Sequence, residues 1–116
     1  MLVRLYSGDD GQSHFKDLDI NTWPVQWDLN LTNARIDFAR RGEPGNPFFS
    51  DWHPEPRRQY LIMLAGQLEV TVGDGSSRVL NPGDVLLAED LTGQGHQILS
   101  LGDQPYSRVT IPSVQE

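Results

Sequence analysis

The sequence predicts an all-β fold built from short strands. Eleven glycines and eight prolines divide the 116 residues into short segments, and no segment keeps the 3.6-residue apolar period of a capped helix. Apolar and polar residues alternate instead, and turn signals recur roughly every eight to twelve residues. This pattern is typical of a β-sandwich or barrel. The length fits one domain over residues 1–116 with a single core.

About eight strands are expected, and the first three of them are the following. Residues 2–6 form the first, and Ser7-Gly-Asp-Asp-Gly11 ends it. In residues 32–41, Ile36 and Phe38 share one face of the strand, with Arg35 and Asp37 on the other. Residues 59–65 are apolar on both faces, as expected of a central strand.

The remaining expected strands cover residues 68–72, 85–88, 97–101 and 106–111. Asp74-Gly75 is a strong hairpin signal, and Pro82-Gly83-Asp84 turns the chain into the strand at 85–88. Trp23 and Trp27 are expected to pack between sheets or against a second subunit.

Composition excludes several functions. The net charge is −7, the pI is about 4.7 and no basic run is present, so nucleic acid and anionic membrane surfaces are poor partners. The chain has no cysteine, which excludes disulfides and thiolate metal sites. The N-terminus has no apolar signal core, and no segment is long enough to span a bilayer. We therefore expect a cytoplasmic protein.

One polar segment carries the candidate site. His53 and Glu55 each precede a proline, which pushes both residues into extended geometry. Residues two apart on a strand face the same way. If no bulge intervenes, one face carries His53, Glu55, Arg57, Gln59, Leu61 and Met63. A polar group above an apolar floor is typical of a ligand site. Arg57 is the one cation on this face and favours an anionic ligand, while Trp52 and Tyr60 belong to the core or to the pocket wall.

The segment around His53 resembles the first motif of the cupins, a family of small jelly-roll barrels. That motif runs Gly, five residues, His-x-His, three or four residues, Glu, six residues, Gly. Here His53 matches the first His, Glu55 replaces the second, Gln59 replaces the Glu, and Gly66 ends the motif. Pro47 stands where the opening Gly is expected.

A second segment resembles the other cupin motif, which contains Pro-x-Gly-x-x-His and a later Asn. Pro82-Gly83-Asp84 is similar to its start, and Gly93-Gln-Gly-His96 matches Gly-x-x-His, with two extra residues between. Leu91 replaces the Pro, and Ser100 replaces the Asn. The resemblance covers roughly residues 32–112. It implies a single cupin-type barrel of the RmlC-like kind, with residues 1–31 packing on it or on a partner subunit.

The resemblance also implies a metal site, because His53, Glu55, Gln59 and His96 would converge inside the barrel. Family members bind Fe, Mn, Ni, Zn or Cu at these positions. By residue type, His53, Glu55 and His96 are the two histidines and one carboxylate of non-haem Fe(II) sites. Gln59 is then a weak fourth ligand or a hydrogen-bond donor to a ligand. The alternative is a set of rim residues, with Glu55 paired to a neighbouring arginine.

Two further residues are candidates for chemistry. Glu89 and Asp90 follow an apolar run and precede His96 closely. Glu89 is either part of a solvated loop or a general base or further ligand whose pKa is raised by burial. His14 is expected to be an ordinary loop or strand histidine.

Three classes of function remain open. The first is a metal-assisted dioxygenase, isomerase or lyase acting on a small organic acid. An oxoglutarate-dependent oxygenase, with Arg108 holding a carboxylate, is a less favoured variant because those enzymes usually carry helices that this chain lacks. The second is a metal-free enzyme in which His53, His96 and Glu89 transfer protons, as in sugar-epimerase cupins. The third is a non-catalytic small-molecule-binding module. Cupins of this size are commonly homodimers, and residues 2–6 are suited to joining a neighbour's sheet.

Overall fold

The computed structural model describes residues 1–22, 29, 32–39, 48–102 and 105–113. Within these ranges the chain forms ten strands and no helix, so the all-β prediction is confirmed. The strands are β1 Leu2–Ser7, β2 Ser13–Asp17, β3 Arg35–Ala39, β4 Phe49–His53, β5 Gln59–Ala65, β6 Gln67–Thr71, β7 Ser77–Leu80, β8 Val85–Glu89, β9 His96–Leu101 and β10 Tyr106–Pro112. None of the described residues belongs to a helix long and apolar enough to cross a membrane.

The strands form two sheets that share one core. The larger has the order β2-β1-β8-β5-β10-β3, and the smaller has the order β4-β9-β6-β7. Period-2 alternation buries Leu61 and Met63 from the larger sheet and Leu68 and Val70 from the smaller. Full burial of such a side chain contributes about 1.5 to 3 kcal/mol. The two sheets are not closed into a barrel.

The N-terminal strand lies within the chain's own larger sheet. β1 pairs antiparallel with β2 on one edge and parallel with β8 on the other. β1 and β2 therefore pack on the larger sheet of the same chain. Because both edges of β1 are hydrogen-bonded within the chain, β1 has no free edge for a neighbour's sheet in this arrangement. Packing of residues 1–31 on a partner subunit stays a prediction.

The turn signals are confirmed, and some strands differ from the prediction. Asp74-Gly75 lies in the turn that joins β6 to β7, and Gly83 has a φ of 91° in the turn before β8. β2 and β4 had no clear alternation in the sequence. Within the expected strand 32–41, β3 exposes Ile36 and Phe38. Residues 40–41 lie outside the described part of the chain, as do Trp23 and Trp27.

Candidate metal centre

His53 and His96 are brought together by neighbouring strands of the smaller sheet. His53 ends β4, His96 begins β9, and the two residues are cross-strand partners. Their ring centroids are 4.6 Å apart. Gly95 has a φ of 79°, and a methyl group there would overlap the backbone carbonyl of His53. Glycine before His96 thus allows the close approach of the two strands.

Glu55 reaches the histidines from the loop between β4 and β5. Its backbone N–H donates to the carbonyl of Asp90 at 3.0 Å, which fixes this loop to the end of β8. The Glu55 side chain is buried, and its Oε1 lies 3.4 Å from Nε2 of His96. The loop therefore places a carboxylate between the two sheets.

His53, Glu55 and His96 form a group that we call the donor triad. Each offers one ligand atom, and these atoms lie within 4.8 Å of one another. In a tetrahedral site with bonds of about 2.1 Å, two donor atoms lie about 3.4 Å apart. The widest pair of the triad must therefore close by up to about 1.4 Å for all three to bind one ion.

The carboxylate of Asp90 orients the imidazole ring of His96. Its Oδ2 lies 2.7 Å from Nδ1 of His96 and accepts a hydrogen bond of 2.7 Å from the Ser13 hydroxyl. The Asp90 side chain is fully buried. A carboxylate that binds Nδ1 leaves Nε2 of His96 to face the other two members of the triad, as in carboxylate–histidine–metal arrangements. Sequence reasoning did not assign a role to Asp90, although alternation along β8 places it on the same face as Leu86 and Ala88.

The other two members of the triad also have orienting partners. Nδ1 of His53 lies 2.6 Å from the carbonyl oxygen of Asp51, which leaves Nε2 to face the triad. The Gln59 amide donates to Oε2 of Glu55. Gln59 is buried, and its Oε1 has no hydrogen-bond partner among the described residues. Gln59 therefore supports a ligand, and it keeps one buried acceptor next to the triad.

The electrostatics of the triad depend on His96. Burial alone would lower the pKa of His96, but hydrogen bonds with Asp90 and Glu55 outweigh burial and raise the pKa to about 9. Burial would raise the pKa of Glu55, but its hydrogen bonds with His96 and Gln59 and the positive charges of His96 and Arg108 lower it. Without a metal, His96 is therefore an imidazolium between two carboxylates.

The four residues expected to line a substrate pocket do not share one surface in the structure. Met63 is buried on the inner face of β5, whereas Tyr60 is half-buried on the opposite face, with its ring centroid 5.9 Å from the Arg58 guanidinium. Trp52 is 37% exposed. Arg57 is exposed, because a bend at Pro56-Arg57 interrupts the alternation that was expected to aim it inward.

Glu89 lies on the outer face of the larger sheet. It forms ion pairs with Arg4 and Arg58, the second at 2.7 Å. Burial would raise the pKa of Glu89, but these two arginines outweigh it and lower the pKa. This direction is the reverse of the raised pKa expected from the sequence, and a general-base role for Glu89 stays a prediction. His14 lies in β2, where its Nε2 contacts Asp10 at 2.9 Å.

Comparison with known proteins does not assign a family. No protein-family model matches the chain, and no curated protein matches it at a significant level.

Proposed function

We propose that this chain is a small cupin-type protein that binds one divalent transition metal through His53, Glu55 and His96. With that metal bound, the protein catalyses a reaction of the dioxygenase, isomerase or lyase type on a small organic molecule. The observation that carries the proposal is the convergence of three ligand atoms within 4.8 Å. The two-sheet all-β fold and the cupin-like motifs support a jelly roll. We also propose that the protein is a cytoplasmic homodimer.

The residues present fit a metal of the Fe, Mn, Ni or Zn group. Two imidazoles and one carboxylate suit these ions, and each member of the triad is held by a hydrogen-bond partner. When bound, the ion would supply Lewis acidity toward an oxygen of the substrate. Asp90 would keep His96 in the tautomer that presents Nε2, and Gln59 would keep Glu55 oriented. Burial of Glu55 and His96 limits access of water to the triad.

The second candidate is metal-free proton transfer, and one observation favours it. His96 lies between the carboxylates of Glu55 and Asp90, and its pKa is raised to about 9. An imidazolium held in this way can donate a proton to a bound ligand and recover it through Glu55. The two candidates differ in what occupies the space between Glu55 and His96: a metal in one case and a proton in the other.

Metal content distinguishes the two candidates. We expect the protein, purified without a His-tag, to carry a near-stoichiometric transition metal by elemental analysis. His96→Ala should remove most of it, Gln59→Ala should remove less, and His14→Ala is the matched histidine control that should remove none. Absence of metal in the wild type, with no thermal shift on adding Mn, Fe, Ni or Zn, would reject the metal site. The proton-transfer or binding-module function would then take its place.

A further inference from the structure

The loop that follows β8 is attached to the N-terminal hairpin, which consists of β1, β2 and the turn between them. The Ser7 hydroxyl donates to the carbonyl of Thr92 at 2.9 Å and accepts a hydrogen bond from the N–H of the same residue at 3.2 Å. The N–H of Gln94 donates to the carbonyl of Gly11 at 3.0 Å. Because this loop leads directly into the proposed metal ligand His96, the hairpin fixes the backbone that carries this ligand.

Ser13 extends this attachment into the interior of the protein. It is the first residue of β2, and its hydroxyl donates to Oδ2 of Asp90 at 2.7 Å. Nδ1 of His96 lies 2.7 Å from the same oxygen. Ser13, Asp90 and His96 are each at most 1% exposed. They therefore form a hydrogen-bonded chain with almost no contact with solvent.

Both donors bind one oxygen of the Asp90 carboxylate. The other oxygen, Oδ1, is buried and has no hydrogen-bond partner among the described residues. Local sterics restrict the terminal torsion of an aspartate only weakly, so hydrogen-bond partners set the plane of its carboxylate. In the part of the chain that the structure describes, these partners are His96 and Ser13. Ser13 is therefore the group, other than the histidine itself, that holds the carboxylate in place.

The position of Ser13 follows from the alternation along β2. Ser13 faces inward toward Asp90, whereas the next residue, His14, faces the other side, where its ring contacts Asp10 and Tyr6. A buried hydroxyl without an acceptor is unfavourable, and Asp90 supplies the acceptor here. The contact with the candidate metal centre thus comes from the serine and not from the neighbouring histidine.

We propose that Ser13 is a positioning residue of the metal centre. Its hydroxyl fixes the carboxylate of Asp90, and this carboxylate fixes the imidazole of His96 with Nε2 facing Glu55. The inference rests on the proposed function for the metal, whereas the hydrogen bonds from Ser13 to His96 exist in the metal-free protein. Loss of a partner that touches a metal ligand lowers metal affinity roughly 10- to 100-fold. Ser13 acts through Asp90, so we expect a smaller effect from its loss.

Zinc affinity provides the first test, measured by competition with a chromogenic chelator. Ser13→Ala should weaken zinc binding about three- to tenfold, because the Asp90 carboxylate has lost its second donor. Ser13→Thr keeps the hydroxyl on a β-branched residue that suits a strand, and it should restore the affinity to within about twofold of the wild type. Ser100→Ala is the matched control, since Ser100 is also buried and accepts a hydrogen bond from the N–H of Phe48. It should destabilise the fold and change zinc affinity less than about twofold.

The ring resonances of His96 provide a second test, which a merely structural role of Ser13 would not affect. Side-chain NMR of the imidazole N–H groups is recorded on metal-free and on zinc-loaded protein. We expect one resolved Nδ1–H resonance of His96 in the wild type and in Ser13→Thr. Ser13→Ala should shift or broaden this resonance, because the acceptor of that proton is no longer held by the serine. Ser100→Ala should leave the resonance unchanged.

For a wild type that binds zinc, four results would each overturn the assignment. These are a zinc affinity of Ser13→Ala within about twofold of the wild type, an unchanged His96 resonance in Ser13→Ala, an equal loss of affinity in Ser100→Ala, or an affinity of Ser13→Thr as low as that of Ser13→Ala. If Ser13→Ala does not fold, Ser13→Cys takes its place, because a thiol is a weaker donor than a hydroxyl and the same direction of change is expected.

A wild type that binds no zinc would reject the metal centre without deciding the role of Ser13. The His96 resonance of the metal-free protein then decides that role alone. A shift in Ser13→Ala would support the positioning of His96 by Ser13, and an unchanged resonance would overturn it.

Discussion

Glu89 and Asp90 are adjacent carboxylates, and they belong to opposite sides of the larger sheet. Glu89, the last residue of β8, faces outward and forms ion pairs with Arg4 and Arg58. Asp90 follows directly, is fully buried and contacts Nδ1 of His96. Neighbouring residues on a strand face opposite sides of the sheet. Glu89 therefore forms surface ion pairs, whereas Asp90 orients the proposed metal ligand His96.

The partners of the two carboxylates also differ in chemistry. Arginine stays charged at all ordinary pH values, so Glu89 has permanent partners that favour its ionised form. His96 exchanges a proton or binds a metal, so the interaction with Asp90 changes with the state of the site. We therefore expect substitutions near Asp90 to alter metal binding, and substitutions near Glu89 to alter stability modestly.

The largest effect is expected where the backbone itself brings the triad together. Gly95→Ala would place a methyl group against the carbonyl of His53, so it should abolish metal binding and destabilise the fold by more than about 3 kcal/mol. Gly75→Ala is the matched control, since Gly75 also has a positive φ, of 88°, and open space around it. It should cost about 1 kcal/mol and leave metal binding intact. Urea unfolding and metal titration measure both. Equal behaviour of the two variants would contradict the role given to Gly95.

The second-largest effect is expected from substitutions of the two adjacent carboxylates, Asp90 and Glu89. Asp90→Asn should lower zinc affinity roughly 10- to 100-fold, because His96 loses the partner that orients it. Glu89→Gln should change zinc affinity less than about twofold and the free energy of unfolding by about 1 kcal/mol or less, because its ion pairs are partly solvated. Competition with a chromogenic chelator measures the affinities. If Glu89→Gln lowers zinc affinity more than Asp90→Asn does, the expectation that Glu89 is a further metal ligand gains support and our assignment of the two faces fails.

The smallest effect concerns pH and the metal-free protein. The pKa of His96 is about 9 in the folded state against an ordinary 6.5. Protonated His96 therefore stabilises the folded, metal-free protein fully below pH 6.5, and this stabilisation is lost as the pH rises through 9. Between pH 6.5 and 8 we expect the free energy of unfolding to fall by about 1 to 2 kcal/mol. Urea midpoints across this range provide the measurement. His96→Gln should remove the slope, and a flat wild-type profile would argue against the ion-paired histidine.

The sequence predicted the strands well because alternation and turn chemistry are local. Asp74-Gly75 and Pro82-Gly83 mark turns by their own backbone preferences, and the structure places turns there. The members of the donor triad were also correctly grouped, but only the resemblance to cupin motifs connected His96 with His53. Their approach depends on strand pairing between residues more than 40 positions apart.

The remaining site residues depend on features that alternation does not encode. Arg57 was expected to face inward, yet a bend at Pro56-Arg57 exposes it. Asp90 was noted only as a neighbour of Glu89, since nothing local shows which of two adjacent carboxylates faces the core.

The parallel pairing of β1 with β8 has a consequence for protein synthesis. Leu2 pairs with Val85, so one strand leaves the ribosome more than 80 residues before its partner. At roughly 5 to 20 residues per second, this delay is about 4 to 16 s. During that time one edge of β1 is open to other nascent chains, and a charged side chain on such an edge discourages association. Arg4 supplies such a charge in β1, and its partner Glu89 is translated more than 80 residues later.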